Sequence, residues 1–379
     1  MGEGCGQGPL REVAAVFLRL GLTAFGGPAA HVALMQAELV ERRRWVSRER
    51  FLDLVAAANL IPGPNSTELA IHLGYLRAGW PGLLVAGACF IVPAALSTAG
   101  LAWAYLRFGA LPDAVAVLAA VKPVVFVIVA DALWKFLRSS VRRTADGLLA
   151  AAALAAAALG APELAVLLAG GLLAALRAGP ARGVAAGLVA PLVVPLAAAA
   201  APAAPATAAG LFWVFAKIGS VLFGSGYVLL AFLRAELVER LGWLTTPQLL
   251  DAIAAGQLTP GPLFSTATFV GWVAGGPAGA AAATAGIFLP AFVFVALSGP
   301  LVPRVRASPT ARAFLEGVVL ASLGLMALVT AQLGAEAFGS ITQLLIGLAA
   351  AVLVIRSTVG PAWIVASAAA AGWALALLR

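Results

Sequence analysis

Ala37-Glu38-Leu39-Val40-Glu41-Arg42, followed by Trp45, returns 198 residues later as Ala235-Glu236-Leu237-Val238-Glu239-Arg240, followed by Trp243. The same offset pairs Phe25-Gly26 with Phe223-Gly224, Asp53 with Asp251, and Pro62-Gly63-Pro64 with Pro260-Gly261-Pro262. A one-residue adjustment then aligns Gly74 with Gly271 and Pro93 with Pro290. Self-similarity at a fixed offset marks a repeated structural unit. The chain reads as a tandem duplication: one unit over 1–182, a linking segment over 183–206, and a second unit over 207–379.

The solvent for these units follows from composition. Of 379 residues, 62% are hydrophobic and 11% charged, with a mean hydropathy of +1.01. Soluble domains carry about a quarter charged residues, and one soluble core could not hide so much apolar surface. Stretches 80–106, 111–137, 277–302, 310–333 and 360–378 are long enough to cross about 30 Å of hydrocarbon at about 1.5 Å per residue. Shorter apolar stretches lie at 144–159, 161–176, 183–200 and 338–355. The first ten residues lack a basic region followed by an apolar one, so insertion through an internal helix is expected rather than a cleaved signal. The expected fold is an all-α polytopic membrane protein.

A net charge of +8 raises the question of nucleic acid. The arginines instead sit in short loops, at 42–44, 48 and 50, at 138, 142 and 143, at 177 and 182, at 304 and 306, and at 356. That is the bias of cytoplasmic loops in a membrane protein, not a nucleic-acid surface. The loop 42–50 is strongly basic, whereas its counterpart 240–248 keeps only Arg240. The two units are therefore expected to lie in opposite orientations, as inverted-topology repeats. The unpaired apolar run 183–200 would reverse the second unit. The trace requires either that 12–42 enters and leaves on one side or that the N-terminus lies outside.

Both units interrupt their apolar runs in the same two places. Phe25-Gly26-Gly27-Pro28 and Pro62-Gly63-Pro64 break the first, and Phe223-Gly224-Ser225-Gly226 and Pro260-Gly261-Pro262 break the second. Proline and glycine are poor residues for a helix interior, so broken or re-entrant helices are expected. Irregular backbone at membrane depth survives where protein or a wet cavity surrounds it. A half-helix beginning there presents free N–H groups and the positive end of its dipole, which suits an anion. Asn65, Ser66 and Thr67 follow the first Pro-Gly-Pro, and Ser265 and Thr266 follow the second. Gly26, Gly27, Pro62, Gly63, Pro64, Gly224, Ser225 and Gly261 complete the candidate substrate site. The competing reading is two proline-kinked helices with ordinary caps.

Charged residues within the apolar runs are costly and mark function by default. Arg19 and Lys217 occupy equivalent positions before the first break of each unit. Facing a central cavity, the two cations would neutralise a dianion; otherwise each snorkels to the interface. Glu68 is a candidate carrier of a coupling proton, and Lys122 a candidate further cation. Glu38 and Glu236 are expected in helical ion pairs and gate contacts. His31 and His72 lack counterparts in the second unit and read as packing histidines. Two cysteines and two histidines form no metal-binding spacing, so neither a metal nor a cofactor is expected. No phosphate-binding loop, zinc-protease or nucleophile-elbow motif is present, so the chain does not read as an enzyme.

Phe25-Gly26-Gly27-Pro28, the stretch from Glu38 to Trp45, and Asn59 through Thr67 together resemble the signature of the chromate ion transporter family. The resemblance covers both units and so matches the family's long, two-domain form. It implies a carrier of the cytoplasmic (inner) membrane that exports chromate and confers chromate resistance. Sulfate, an isosteric dianion, is the alternative or competing substrate, and a homodimer is left open. The second unit departs from the signature: Gly27-Pro28 becomes Ser225-Gly226, and Asn65 becomes Leu263. The absence of an ATP site favours a secondary carrier, with an anion channel as the rival reading.

Overall fold

A computed structural model describes residues 8–25, 27–177, 205–223, 228–357 and 359–377, without the side chains of 299–301, 303, 304 and 306. Gly26, Gly224, Ser225, Gly226, Cys5 and nearly all of the expected linking segment lie outside the described residues. Every regular element among the described residues is helical.

The first unit comprises α1 (Pro9–Thr23), α2 (Pro28–Gln36), α3 (Arg48–Ala58), α4 (Asn65–Phe108), α5 (Pro112–Ser140), α6 (Thr144–Ala158) and α7 (Glu163–Arg177). The second follows in the same order: α8 (Ala208–Val221), α9 (Leu229–Leu233), α10 (Thr246–Leu258), α11 (Thr266–Ala307), α12 (Pro309–Ala337), α13 (Ile341–Arg356) and α14 (Pro361–Leu377). The duplicated hexapeptide takes the same form twice. α2 and α9 each run on into a π-helical turn, Ala37–Arg42 and Arg234–Arg240, in which Arg43 N–H donates to Glu38 O and Leu241 N–H to Glu236 O. Among the described residues, four helices are long and apolar enough to cross a membrane: Asn65–Phe108, Pro112–Ser140, Leu263–Ser298 and Pro309–Ala337. Large apolar side chains such as Leu96, Ile355 and Trp363 stand 68%, 77% and 74% exposed. Lipid is the medium in which such a surface is stable, and the protein is a multi-pass membrane protein.

α1, α2 and α3 have 15, 9 and 11 residues, too short for about 30 Å of hydrocarbon. They fold back instead. Glu12, at the start of α1, accepts from Arg43 beyond the π-turn at 3.0 Å and from Arg77 in α4 at 2.6 Å. The start of α1, the end of α2 and residue 77 of α4 therefore meet at one face, here called the basic face. The breaks that follow α1 at Ala24 and α3 at 59–64 are the tips of two re-entrant hairpins pointing into the molecule. α4 then reverses at Ala78 and Gly79, where Gly79 has φ +61°. A Cβ on Gly74 would strike Gly82 and Ala86, so the segment before the turn and the long segment after it run antiparallel. α11 repeats the reversal at Gly275 and Gly276.

The second unit enters from the other face. Along α4, Thr98 lies midway and hydrogen-bonds Thr259 at the tip of α10, at 3.2 Å. Tyr105, near the far end of α4, hydrogen-bonds Asp251 earlier in α10, at 3.1 Å. α10 thus runs from the far face to the centre, whereas α3 runs from the basic face to the centre. The repeats are inverted, and 12–42 enters and leaves on one side.

The outer helices are exchanged between units. α6 and α7 pack on α12, and α13 and α14 pack on α5. Glycines permit the close crossings usual between membrane helices: Gly170 meets Gly317, and Gly372 meets Ala116 and Ala120.

Candidate functional site

The four tips cross at the centre. Gly63 N–H donates to the carbonyl of Leu222, and Gly261 N–H donates to the carbonyl of Ala24, each at 2.8 Å. Each Pro-Gly-Pro break therefore binds the extended residue that ends the first helix of the opposite unit. Only glycine suits these two turns. Gly63 has φ +134° and Gly261 has φ +87°, values that L side chains rarely adopt. A Cβ on Gly261 would also lie 2.8 Å from the Cβ of Ala94.

Around this crossing, three helix beginnings converge on one small space of about 10 Å³, lined by Pro28, Pro64, Asn65, Ser66, Pro262, Leu263 and Phe264. Pro28 opens α2, Asn65 opens α4, and Leu263 opens the short 3₁₀ turn Leu263–Ser265 that leads into α11. Proline at the first helical position leaves the remaining free N–H groups available. Aligned dipoles make such a point electropositive without a charged side chain. The space has room for about one water molecule, so the tips are closed on each other. Pro62, Gly63 and Gly27 form the turns that bring these beginnings together.

The hydroxyls behind the tips are buried. Ser66, Thr67, Ser265 and Thr266 are each no more than 3% exposed, and the Thr67 hydroxyl has no hydrogen-bond partner. Thr98 joins the second tip by bonds to Thr259 and Ser265, both at 3.2 Å. Asn65 donates to Asn59 at 2.6 Å, closing the first tip. His31 ties the tips of the first unit together. Its Nε2 donates to the Ala24 carbonyl, which can only accept, and its Nδ1 lies 3.2 Å from Ser66 Oγ. The same carbonyl also accepts from Gly261, using both lone pairs.

The charged residues of the apolar runs lie elsewhere. Arg19 pairs with Glu38 at 2.5 Å, and Arg42 and Arg43 bind the same carboxylate. Lys217 pairs with Glu236 at 2.8 Å, and Arg240 joins it. Both cations are thus engaged within their own hairpins and do not line the central space. Lys122 reaches across units to Asp251 at 3.9 Å, beside the Tyr105 hydroxyl. Glu68 is fully buried on the first turn of α4, with no hydrogen-bond partner on either oxygen.

Three participants were not singled out from the sequence. Asp251 carried a signal, the repeat that pairs it with Asp53. Thr98 and Tyr105 carried none, because their counterparts are Val295 and Val302 and only the fold brings them to the second unit.

A sequence model of the chromate transporter family matches residues 11–175 and 209–373, two spans related by the same 198-residue offset. A chromate transport protein of Pseudomonas aeruginosa is 34% identical over 354 residues, covering 87% of this chain and 83% of that protein. A chromate transport protein of Cupriavidus metallidurans is 33% identical over 325 residues, covering 83% and 80%. A probable chromate transport protein of Synechococcus elongatus is 30% identical over 349 residues, covering 90% and 88%. No solved structure matches the chain. With both of its units matched in this way, the chain belongs to the chromate transporter family.

Proposed function

We propose that this protein is a secondary carrier that exports chromate across the cytoplasmic membrane and thereby gives chromate resistance. The observation that carries the reading is the convergence of Pro28, Asn65 and Leu263, three helix beginnings from inverted units, on one closed central space. An anion held by backbone N–H groups and helix dipoles needs no resident metal or charged ligand. The relatives named as chromate transport proteins supply the substrate. Sulfate, of the same shape and charge, is the competing substrate.

Alternating access follows from the inverted units. Rocking of one pair of hairpins against the other opens the tips first to the basic face, read as cytoplasmic, and then to the far face. Ser66, Thr67, Ser265 and Thr266 line the opened site. Arg19 and Lys217 join it in the open states, where the dianion competes with Glu38 and Glu236 for them. The inside-negative potential favours exit of a dianion by about 4.6 kcal/mol per 100 mV. A channel would lack the closed centre.

The test is chromate uptake into inverted membrane vesicles, with sulfate as competitor and an uncoupler as control. Saturable, energy-dependent uptake blocked by sulfate is the expected result. Uptake indistinguishable from vesicles without the protein would remove chromate from the reading. Arg19→Gln and Lys217→Gln should each abolish uptake while leaving the protein in the membrane.

A further inference from the structure

Two titratable groups of the first unit take no part in the contacts described above. Glu68 is buried in the first turn of α4, both oxygens unpartnered, and His72 has a buried, unpartnered Nε2. Four residues apart on one helix, the two share a face. His72 lines a cavity of about 290 Å³ between α3, the first segment of α4 and the end of α11, with Arg50, Asp53, Tyr75 and Ser298. That volume has room for several waters, and Arg50 marks it as lying toward the basic face. Glu68 sits at the inner end of the same face. A Cβ on Gly63 would lie 2.5 Å from Glu68 Oε1 and 3.6 Å from the carbonyl of Gly219 in α8. The carboxyl group thus abuts the peptide through which the first unit grips Leu222 of the second.

The second unit keeps neither the acid nor the histidine. Phe269 replaces His72, and Thr266, bonded to the Leu263 carbonyl, replaces Glu68. Where Val302 borders the cavity, the pseudo-symmetric position holds Tyr105, whose ring packs on Phe269 at 5.3 Å between centroids. Acid and histidine occur together beside the cavity of one unit and are replaced together in the other, where the Tyr105 and Phe269 rings pack on each other. A packing role for either residue would not require the cavity.

We propose that Glu68 is the proton-carrying group that couples the two units, and that His72 and its cavity are the path by which this proton exchanges with the basic face. The proposal rests on the carrier reading above. A proton from cavity water passes to the imidazole and from it to the carboxylate, giving a carboxylic acid, and the release step reverses this order. Only O–H and N–H bonds form and break. Charge at Glu68 acts directly on the Gly63–Leu222 contact, so loading one proton alters how the tips sit. α3 supplies Arg50 and Asp53, and the positive charge of Arg50 acts on His72. α2 supplies His31, held by Ser66 and Ala24. On α1, Glu12 is tied to Arg43 and Arg77, and Arg19 to Glu38; on α8, Lys217 is tied to Glu236. The described side chains that α11 contributes to the cavity are uncharged.

The experiment uses the purified full-length chain in proteoliposomes enclosing a pH-sensitive dye, with the membrane potential clamped. Chromate accumulation driven by a pH gradient is compared with chromate counterflow in the same vesicles. The parent should accumulate chromate about tenfold per pH unit for each proton exchanged, with matching dye signals. In Glu68→Gln the ratio of gradient-driven accumulation to counterflow should collapse and the dye signal disappear; in His72→Phe both should be reduced. Infrared difference titration of the same protein, without chromate, should show a carboxyl band that Glu68→Gln removes and whose midpoint His72→Phe shifts. A Glu68→Gln protein with the parent's full gradient response would overturn the proposal, as would a carboxyl band untouched by either substitution. A parent that moves no chromate at all would sink the carrier reading instead, and the infrared band would still decide whether Glu68 exchanges its proton through His72.

Discussion

Gly63 of the first unit donates its amide to the carbonyl of Leu222 in the second, at 2.8 Å, and the repeat makes the reciprocal bond from Gly261 to Ala24. Two backbone hydrogen bonds thus cross the pseudo-twofold axis at the point where both helices of each hairpin are interrupted. They satisfy amides that would otherwise be orphaned at membrane depth, where an unpaired backbone group costs several kcal/mol.

Gly261→Ala should be the more damaging of the two alanine substitutions at this crossing. Both positions have positive φ, but the new methyl at 261 meets the Cβ of Ala94 at 2.8 Å, whereas at 63 it meets the end of the flexible Glu68 side chain at 2.5 Å. A loss of about 1–3 kcal/mol is expected at each site from strain and overpacking. Thermal unfolding in detergent should rank the variants parent, Gly63→Ala, Gly261→Ala; the reverse order of the two variants would mean that the Ala94 contact yields freely.

Arg44 is the one non-glycine residue with positive φ among the described residues, at +52°, and its repeat partner Gly242 has φ +62°. The first unit thus holds an arginine in a turn that the second builds from glycine. Arg44→Gly should relieve the left-handed strain and raise stability by up to about 1 kcal/mol. It should also weaken the orientation signal of loop 42–50. A melting temperature below the parent's would show that the Arg44 side chain stabilises the turn by more than its backbone strain costs.

Lys217→Met should destabilise the protein more than Arg19→Met, although the two residues are repeat equivalents. The Lys217–Glu236 pair is 24% and 8% exposed, and its loss leaves Glu236 with Arg240. A buried carboxylate that loses a partner costs on the order of 2–4 kcal/mol. Arg19 is 49% exposed, and Glu38 keeps both Arg42 and Arg43, so its loss should cost about 1 kcal/mol or less. Equal shifts in denaturation would indicate that solvent screens both pairs alike.

Single cysteines test the orientation, in a chain whose Cys5 and Cys89 are replaced. Ser139, exposed at the end of α5, belongs to the basic face, and Leu159, 89% exposed after α6, belongs to the far face. An impermeant thiol reagent should label Ser139→Cys in inverted vesicles and Leu159→Cys in intact cells. Labelling of both from the same side would contradict the span of α6.

The duplication, the helical membrane class, the places where helices break and the inverted orientation are legible in the chain alone. Each is written in local chemistry: apolar runs of bilayer length, Pro-Gly-Pro at a fixed offset, and arginines in loops of one parity. The breaks at 61–64 and 259–262 were legible because proline and glycine disrupt a helix whatever surrounds them. The direction the chain takes after a break was not, since a bend and a reversal have the same residues. Long-range packing makes α1–α2 and α3–α4 fold back as hairpins and makes α4 reverse again at Gly79. The same packing sets Arg19 on Glu38 and Lys217 on Glu236, because a long cationic side chain takes whichever carboxylate comes within reach. Thr98 beside Ser265 and Tyr105 on Asp251 join residues 167 and 146 positions apart. Contacts of that kind leave no local pattern; they exist because inverted units lay the middle of α4 against the tip of α10.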